Sequence, residues 1–228
     1  MEVMEKELTK EQIHDIIARR AAKEFKEGDI VTLGIGLPTK VANYVPEELN
    51  VIFQSENGLL GLGKNQPEDN IDKRITNAGG GYVEAKTGSC FYDSPMAFTM
   101  MRGGHIDATV LGALQVDEEG SLANWMIPGK FVPGMGGAMD LVVGAKHVIV
   151  VMEHLSKGQI KIVKKCNLPL TAYKEVNLII TERCVMKVTD KGLLLTEINP
   201  MYTVEDIRNT VSADFEVSDN LKYMEISS

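Results

Sequence analysis

Three cysteines, one tryptophan and a shortage of positive charge limit what this 228-residue chain can be. Cys90, Cys166 and Cys184 are odd in number and far apart, which gives neither a disulfide framework nor the spacing of a metal site. They read as reduced, structural residues. No apolar run approaches the roughly 20 residues needed to cross a bilayer, and residues 1–8 are too acidic and polar for a secretory signal. No membrane contact and a cytoplasmic location are therefore expected. Lys and Arg number 24 against 32 Asp and Glu, a formal charge of −8, which argues against a nucleic-acid or anionic-membrane surface. An anionic substrate would have to be met by local features. With no Pro/Ser-rich linker, charge block, internal repeat or low-complexity stretch, and 44% hydrophobic residues to build a core, the chain reads as one domain over 1–228, with 1–8 and 216–228 as peripheral tails.

What is present is a succession of short β-branched runs and helical patterns punctuated by glycine. Thr9 with Gln12 three residues later reads as a capping box, and Ile13, Ile16, Ile17, Ala21 and Phe25 recur at helical spacing before Gly28. Residues 29–33 form a β-prone run that opens into Gly34-Ile35-Gly36-Leu37-Pro38-Thr39, with Thr39 as the cap of a helix through Tyr44. Ser94 and Pro95 fit the cap and first position of a helix to Arg102, stopped by Gly103-Gly104. Residues 106–116 read as one buried strand closed by the turn Asp117-Glu118-Glu119-Gly120, and 147–152 as another strand. This alternation predicts an α/β fold, a single domain with a largely parallel sheet covered by helices on both faces. Residues 177–181, 185–189 and 193–198, with a turn at Asp190-Lys191-Gly192, predict a β-rich C-terminal part with one hairpin. Thr203 then caps a short helix, and a polar tail follows from Asp214.

The most informative stretch is Phe53-Gln54-Ser55-Glu56-Asn57-Gly58-Leu59-Leu60-Gly61. Residues 51–53 are short and apolar enough for a buried strand, and Asn57-Gly58 breaks it with a dipeptide that readily takes positive φ. Glu56 then stands at a strand end among Phe53, Leu59, Leu60 and Leu62, either swung into solvent beside a turn or held for use. Spacing alone leaves both readings open. Two glycine loops offer backbone N–H groups. Gly34 and Gly36 could face a phosphate or carboxylate, although the dinucleotide fingerprint wants a third glycine where Thr39 stands. Gly136 and Gly137, with Ala138 and Met139 opening a helix over 138–143, could face a developing negative charge. Glu153 and His154 form an acid/base pair or, as such pairs more often do, a hydrogen-bonded structural feature. Trp125 reads as a packing residue.

The nine residues around Glu56 resemble the signature of the β-type subunit of family I coenzyme A-transferases. The similarity runs from about residue 11 to 215, through Leu33-Gly34-Ile35-Gly36-Leu37-Pro38, Met101-Arg102-Gly103-Gly104-His105, Leu122-Ala123-Asn124-Trp125-Met126-Ile127-Pro128-Gly129-Lys130 and Gly134-Met135-Gly136-Gly137-Ala138-Met139-Asp140. The resemblance implies a CoA-transferase, NagB/RpiA-like fold, with Glu56 as the nucleophile that forms a glutamyl-CoA thioester. It implies Gly137 as an oxyanion donor, and Asn57 and Gly58 as the residues that aim Glu56. It further implies no metal and no permanently bound cofactor, a coenzyme A thioester as substrate, and ping-pong exchange with short-chain acids such as acetate, butyrate and acetoacetate. An α-type subunit is the implied partner, in a heterodimer or heterotetramer. Two rivals stand beside this: an acyl-CoA hydrolase using the same Glu, and a non-enzymatic sensor of a phosphorylated metabolite, against which no helix-turn-helix or basic output segment is visible.

Overall fold

The computed structural model describes residues 8–130 and 134–226. Except for Leu8, the expected N-terminal tail lies outside them. The first half contains α1 (Lys10–Ala22), β1 (Ile30–Leu33), α2 (Leu37–Lys40), β2 (Ile52–Ser55), β3 (Leu59–Asn65), β4 (Val83–Phe91), α3 (Ser94–Arg102) and β5 (Ile106–Gly112). Next come β6 (Gln115–Asp117), β7 (Leu122–Ala123), α4 (Ala138–Gly144), β8 (Ala145–Val151), β9 (Leu155–Ser156), β10 (Gln159–Ile160) and β11 (Ile162–Val163). The chain closes with β12 (Leu178–Ile180), β13 (Cys184–Thr189), β14 (Gly192–Ile198), α5 (Val204–Thr210) and β15 (Phe215–Tyr223).

Ten strands form one sheet in the order β15-β14-β13-β12-β8-β5-β1-β2-β3-β4. Its centre, from β12 to β2, is parallel throughout. Antiparallel neighbours extend it on both sides, with β13 and β14 on one and β3 and β4 on the other. The parallel centre is buried on both faces because successive residues are apolar and point to opposite sides. Ile149, Val151, Leu178 and Ile180 pack with Ile16, Ile17 and Ala21 of α1 on one face. Val148, Val150 and Ile179 pack with Met101 of α3, Leu141 of α4 and Ile207 of α5 on the other.

The expected α/β domain and C-terminal hairpin are present, with differences of detail. Residues 106–116 are not one strand. The ladder of β5 ends at Gly112, and β6 turns away to pair with β7 and β11 in a small sheet that shares the second face with the helices. Thr39 is not a cap: its hydroxyl donates to Gly36 O at 2.7 Å inside α2, and Val41–Tyr44 tightens into a 3-10 turn. Asp93, one residue before Ser94, caps α3 by accepting from Met96 N at 2.9 Å. The polar tail expected from 216 is instead β15, parallel to β14 at the sheet edge. There Phe215, Val217 and Leu221 reach the core, while solvent on the open side explains the polar residues between them.

Candidate active site

Glu56 is the first residue beyond β2, in the tight turn to β3. The turn is closed by Gly58 N–H donating to Ser55 O at 3.0 Å, and Tyr92 N–H donates to Gly58 O at 3.0 Å. Gly58 has φ of 107°, and a Cβ there would lie 1.9 Å from Tyr92 O, so the turn takes this shape with glycine alone. Asn57 Nδ2 donates to Thr76 O at 2.8 Å, and Ser55 Oγ accepts from Ala78 N at 2.9 Å. The turn is thereby fastened to the loop before β4 rather than left to swing.

The half-buried carboxylate of Glu56 lies against the backbone of Gly137, the residue that precedes α4. A Cβ on Gly137 would sit 1.9 Å from Glu56 Oε2 and 3.2 Å from Phe98 Cζ, so the close approach requires glycine. Burial raises the Glu56 pKa, the Gly137 N–H works in the opposite direction, and Asp140 adds to the rise. That N–H faces the carboxylate closely enough to favour its charge, yet no hydrogen bond of full geometry forms. Oε2 has no partner among the described residues. At seven residues α4 is short, so the polarity here comes from the local N–H more than from a helix dipole.

The other expected residues fall in three places. Gly136, Ala138 and Met139 flank Gly137, with Met139 exposed. Gly34 and Gly36 lie beyond β1, which adjoins β5 where the connections from β1 to β2 and from β5 to β8 leave in opposite directions, the position where open α/β sheets place ligands. There a cleft of about 400 Å³ is lined by His14, Ile35, Pro38, Gly112, Glu153 and Lys161, among others. The Gly34 N–H is already engaged, donating to Val110 O at 2.8 Å. Burial pushes the Lys161 ammonium down to about 8. Glu153 and His154 do not act on each other's side chains: Glu153 meets His14 Nε2 at 3.0 Å, while His154 is fully buried between the hydroxyls of Thr181 and Thr210, each at 3.0 Å. Burial holds the imidazole neutral, with a pKa of about 3. Trp125 donates to Leu170 O at 3.3 Å. Among the described residues no group of three or more His, Cys, Asp or Glu side chains is placed to hold a metal ion, and no helix is long and apolar enough to cross a membrane.

A model of the coenzyme A transferase family matches residues 14–210. The chain belongs to that family. It is 53% identical over 214 residues to the β subunit of an acetate CoA-transferase of Haemophilus influenzae, covering 93% of this chain and 96% of that one. It is 48% identical over 206 residues to one subunit of a probable succinyl-CoA:3-ketoacid coenzyme A transferase of Bacillus subtilis, covering 90% and 95%. The fold matches an acyl-CoA transferase apoenzyme from Escherichia coli O157:H7 with a TM-score of 0.75 at 21% identity. That match covers 94% of this chain and 43% of the other, so this transferase chain spans less than half of it.

Two residues next to the Glu56 turn escaped sequence reasoning. Gln54, 3% exposed on β2, and Tyr92, just after β4, approach each other beneath the Glu56 turn. Burial raises the Tyr92 pKa, and the Gln54 amide works against it without completing a hydrogen bond. A glutamine following the apolar run Val51-Ile52-Phe53 was the available signal for Gln54. Tyr92 gave none, because its approach depends on the pairing of β3 with β4.

Proposed function

We propose that this chain is the β-type half of a heteromeric CoA-transferase that moves CoA between a short-chain acyl-CoA and a carboxylic acid or 3-oxoacid through a covalent glutamyl-CoA thioester. The observation that carries this reading is the Glu56 carboxylate, held against Gly137 with one oxygen buried and unpartnered. A nucleophile needs such an oxygen.

Attack by Glu56 on the thioester carbonyl gives a tetrahedral adduct that expels CoA thiolate and leaves an acyl-glutamyl anhydride. The thiolate then attacks Glu56 Cδ and releases the first acid as its carboxylate. The glutamyl-CoA thioester that remains is reversed by the second acid, so the thioester free energy is retained at each step and no net proton is exchanged. In the second attack the oxyanion develops on an oxygen of Glu56 itself, next to the Gly137 N–H. A positioned donor of this kind is typically worth about 3 kcal/mol in the transition state. Catalytic hydrogen bonds commonly tighten only when substrate binds, which accommodates the imperfect alignment of that N–H here.

An α-type partner is proposed on three grounds. The Haemophilus influenzae and Bacillus subtilis relatives are named as subunits, and more than half of the Escherichia coli transferase chain has no counterpart in this one. Beside the site, Met96 on α3 and Met139 and Val143, one turn apart on α4, leave large apolar side chains exposed, as a partner would require. The test is to assemble the chain with an α-type subunit and follow CoA appearing on an added acid. Acid-dependent exchange is expected from the complex and not from the chain alone. Release of free acid and thiol independent of added acid would favour hydrolysis instead.

A further inference from the structure

We infer that Gln54 and Tyr92 form a subsite for the ketone oxygen of a 3-oxoacyl group, and that this pair sets the preference for 3-oxoacids over saturated acids. The inference rests on the transfer reading above and deepens it. Its first ground is a coincidence of positions. Among the described residues, the buried side-chain polar atoms without a hydrogen-bond partner are four, and all belong to this place: Gln54 Nε2 and Oε1, Glu56 Oε2 and Tyr92 Oη. Native interiors leave few polar groups unpaired, and each one costs stability, so a cluster of them marks a place that a ligand completes.

The second ground is direction. Phe53 packs on the face that carries α1, so Gln54 beside it on β2 faces the side that carries α3 and α4, and Glu56, in the turn that follows, meets Gly137 before α4 on that same side. Across that face Gln54 stands in register with Thr32, which stands in register with Thr109. The two threonine hydroxyls satisfy each other at 2.9 Å, whereas the Gln54 amide at the end of the row is left open.

The third ground is chemistry. An amide N–H and a phenol O–H are donors suited to a neutral carbonyl oxygen. A second carboxylate, as in a dicarboxylic acid, would need a cation when buried. Arg102 of α3 is engaged by Asp140 at 2.6 Å, and Asp140 already raises the Glu56 pKa, so the surroundings oppose more negative charge.

The assembled complex carrying Gln54→Leu or Tyr92→Phe should be compared with wild type using acetoacetyl-CoA and butyryl-CoA as donors to acetate. In each variant kcat/KM for acetoacetyl-CoA is expected to fall about tenfold or more, with butyryl-CoA changing by less than about threefold. Gln54→Leu should also melt no lower than wild type, because an apolar side chain of similar volume replaces two unpaired polar atoms. Equal losses with both donors, no change with either, or a marked drop in Tm of Gln54→Leu would overturn the inference. A wild-type complex that transfers CoA from neither donor would instead strike down the transfer reading beneath it.

Discussion

Two clusters of buried polar residues stand at the ends of strands of the large sheet, and they differ in one respect. Beyond β8 and β12, His154, Thr181, Glu182 and Asn199 are all at most 5% exposed. His154 N–H donates to Glu182 Oε2 at 2.8 Å, its ring meets Thr181 and Thr210, and Asn199 Nδ2 donates to Glu182 O at 2.8 Å. At the end of β2 and just beyond β2 and β4, Gln54, Glu56 and Tyr92 are left with unpaired atoms. A satisfied network fixes the fold, whereas an unsatisfied one carries a cost that binding or chemistry can explain. Of the two Glu-bearing strand ends weighed in the sequence, this contrast favours Glu56.

The largest effect expected is from Glu56→Gln in the assembled complex. The amide keeps the shape and removes the nucleophile, so acid-dependent exchange should fall about 10⁴-fold or more. Retained turnover near wild type would dissolve the contrast at once. Gly137→Ala comes next. The added methyl would occupy the position of Glu56 Oε2, and displacing a reacting group by roughly an ångström can cost about 100-fold. The loss should appear in kcat more than in KM, measured by steady-state exchange at varied acyl-CoA.

His154→Ala works on the opposite cluster. It should cost about 2–4 kcal/mol in denaturant unfolding, since it leaves a cavity and frees the partner groups, while activity per folded complex stays within about twofold of wild type. The cluster also sets a pH dependence. The His154 pKa is about 3 when folded and near its ordinary 6.5 when unfolded, so the unfolded chain binds the extra proton between these values. Stability contributed by the neutral imidazole is complete above about pH 6.5 and is lost as pH falls toward 3. Unfolding measured at pH 5 and pH 8 should show a smaller difference in His154→Ala than in wild type. The smallest effect is on the Tm of Glu56→Gln. Because burial raises the Glu56 pKa, its charged form is disfavoured on folding at neutral pH. The amide should raise Tm by on the order of a degree or two at pH 7.5, and the gain should shrink as pH falls below the ordinary carboxylate pKa.

What was legible in the sequence follows from how local each signal is. The Thr9 capping box, the 190–192 hairpin turn and the Thr203 cap are decided by side chains within a few residues, and all three are in the structure. The Glu56 turn was readable because Asn57-Gly58 imposes it. The break of 106–116 at Gly112 and the return of 215–223 to the sheet edge were not, because both depend on partners distant in sequence. The same holds for Tyr92 and for the meeting of Glu56 with Gly137, which the residues alone did not indicate and the family resemblance did. Gln54 sits in the motif itself. Its importance lies in the partners it lacks, a property of packing rather than of spacing.

The central claim is tested most directly by mixing the assembled complex with acyl-CoA in the absence of acceptor acid and weighing the peptide that contains Glu56. A peptide heavier by the glutamyl-CoA adduct, discharged by acetate or hydroxylamine and absent from the Glu56→Gln complex and from the free chain, is the expected result. An active complex in which that peptide never gains mass, or in which the adduct forms on another residue, would contradict it.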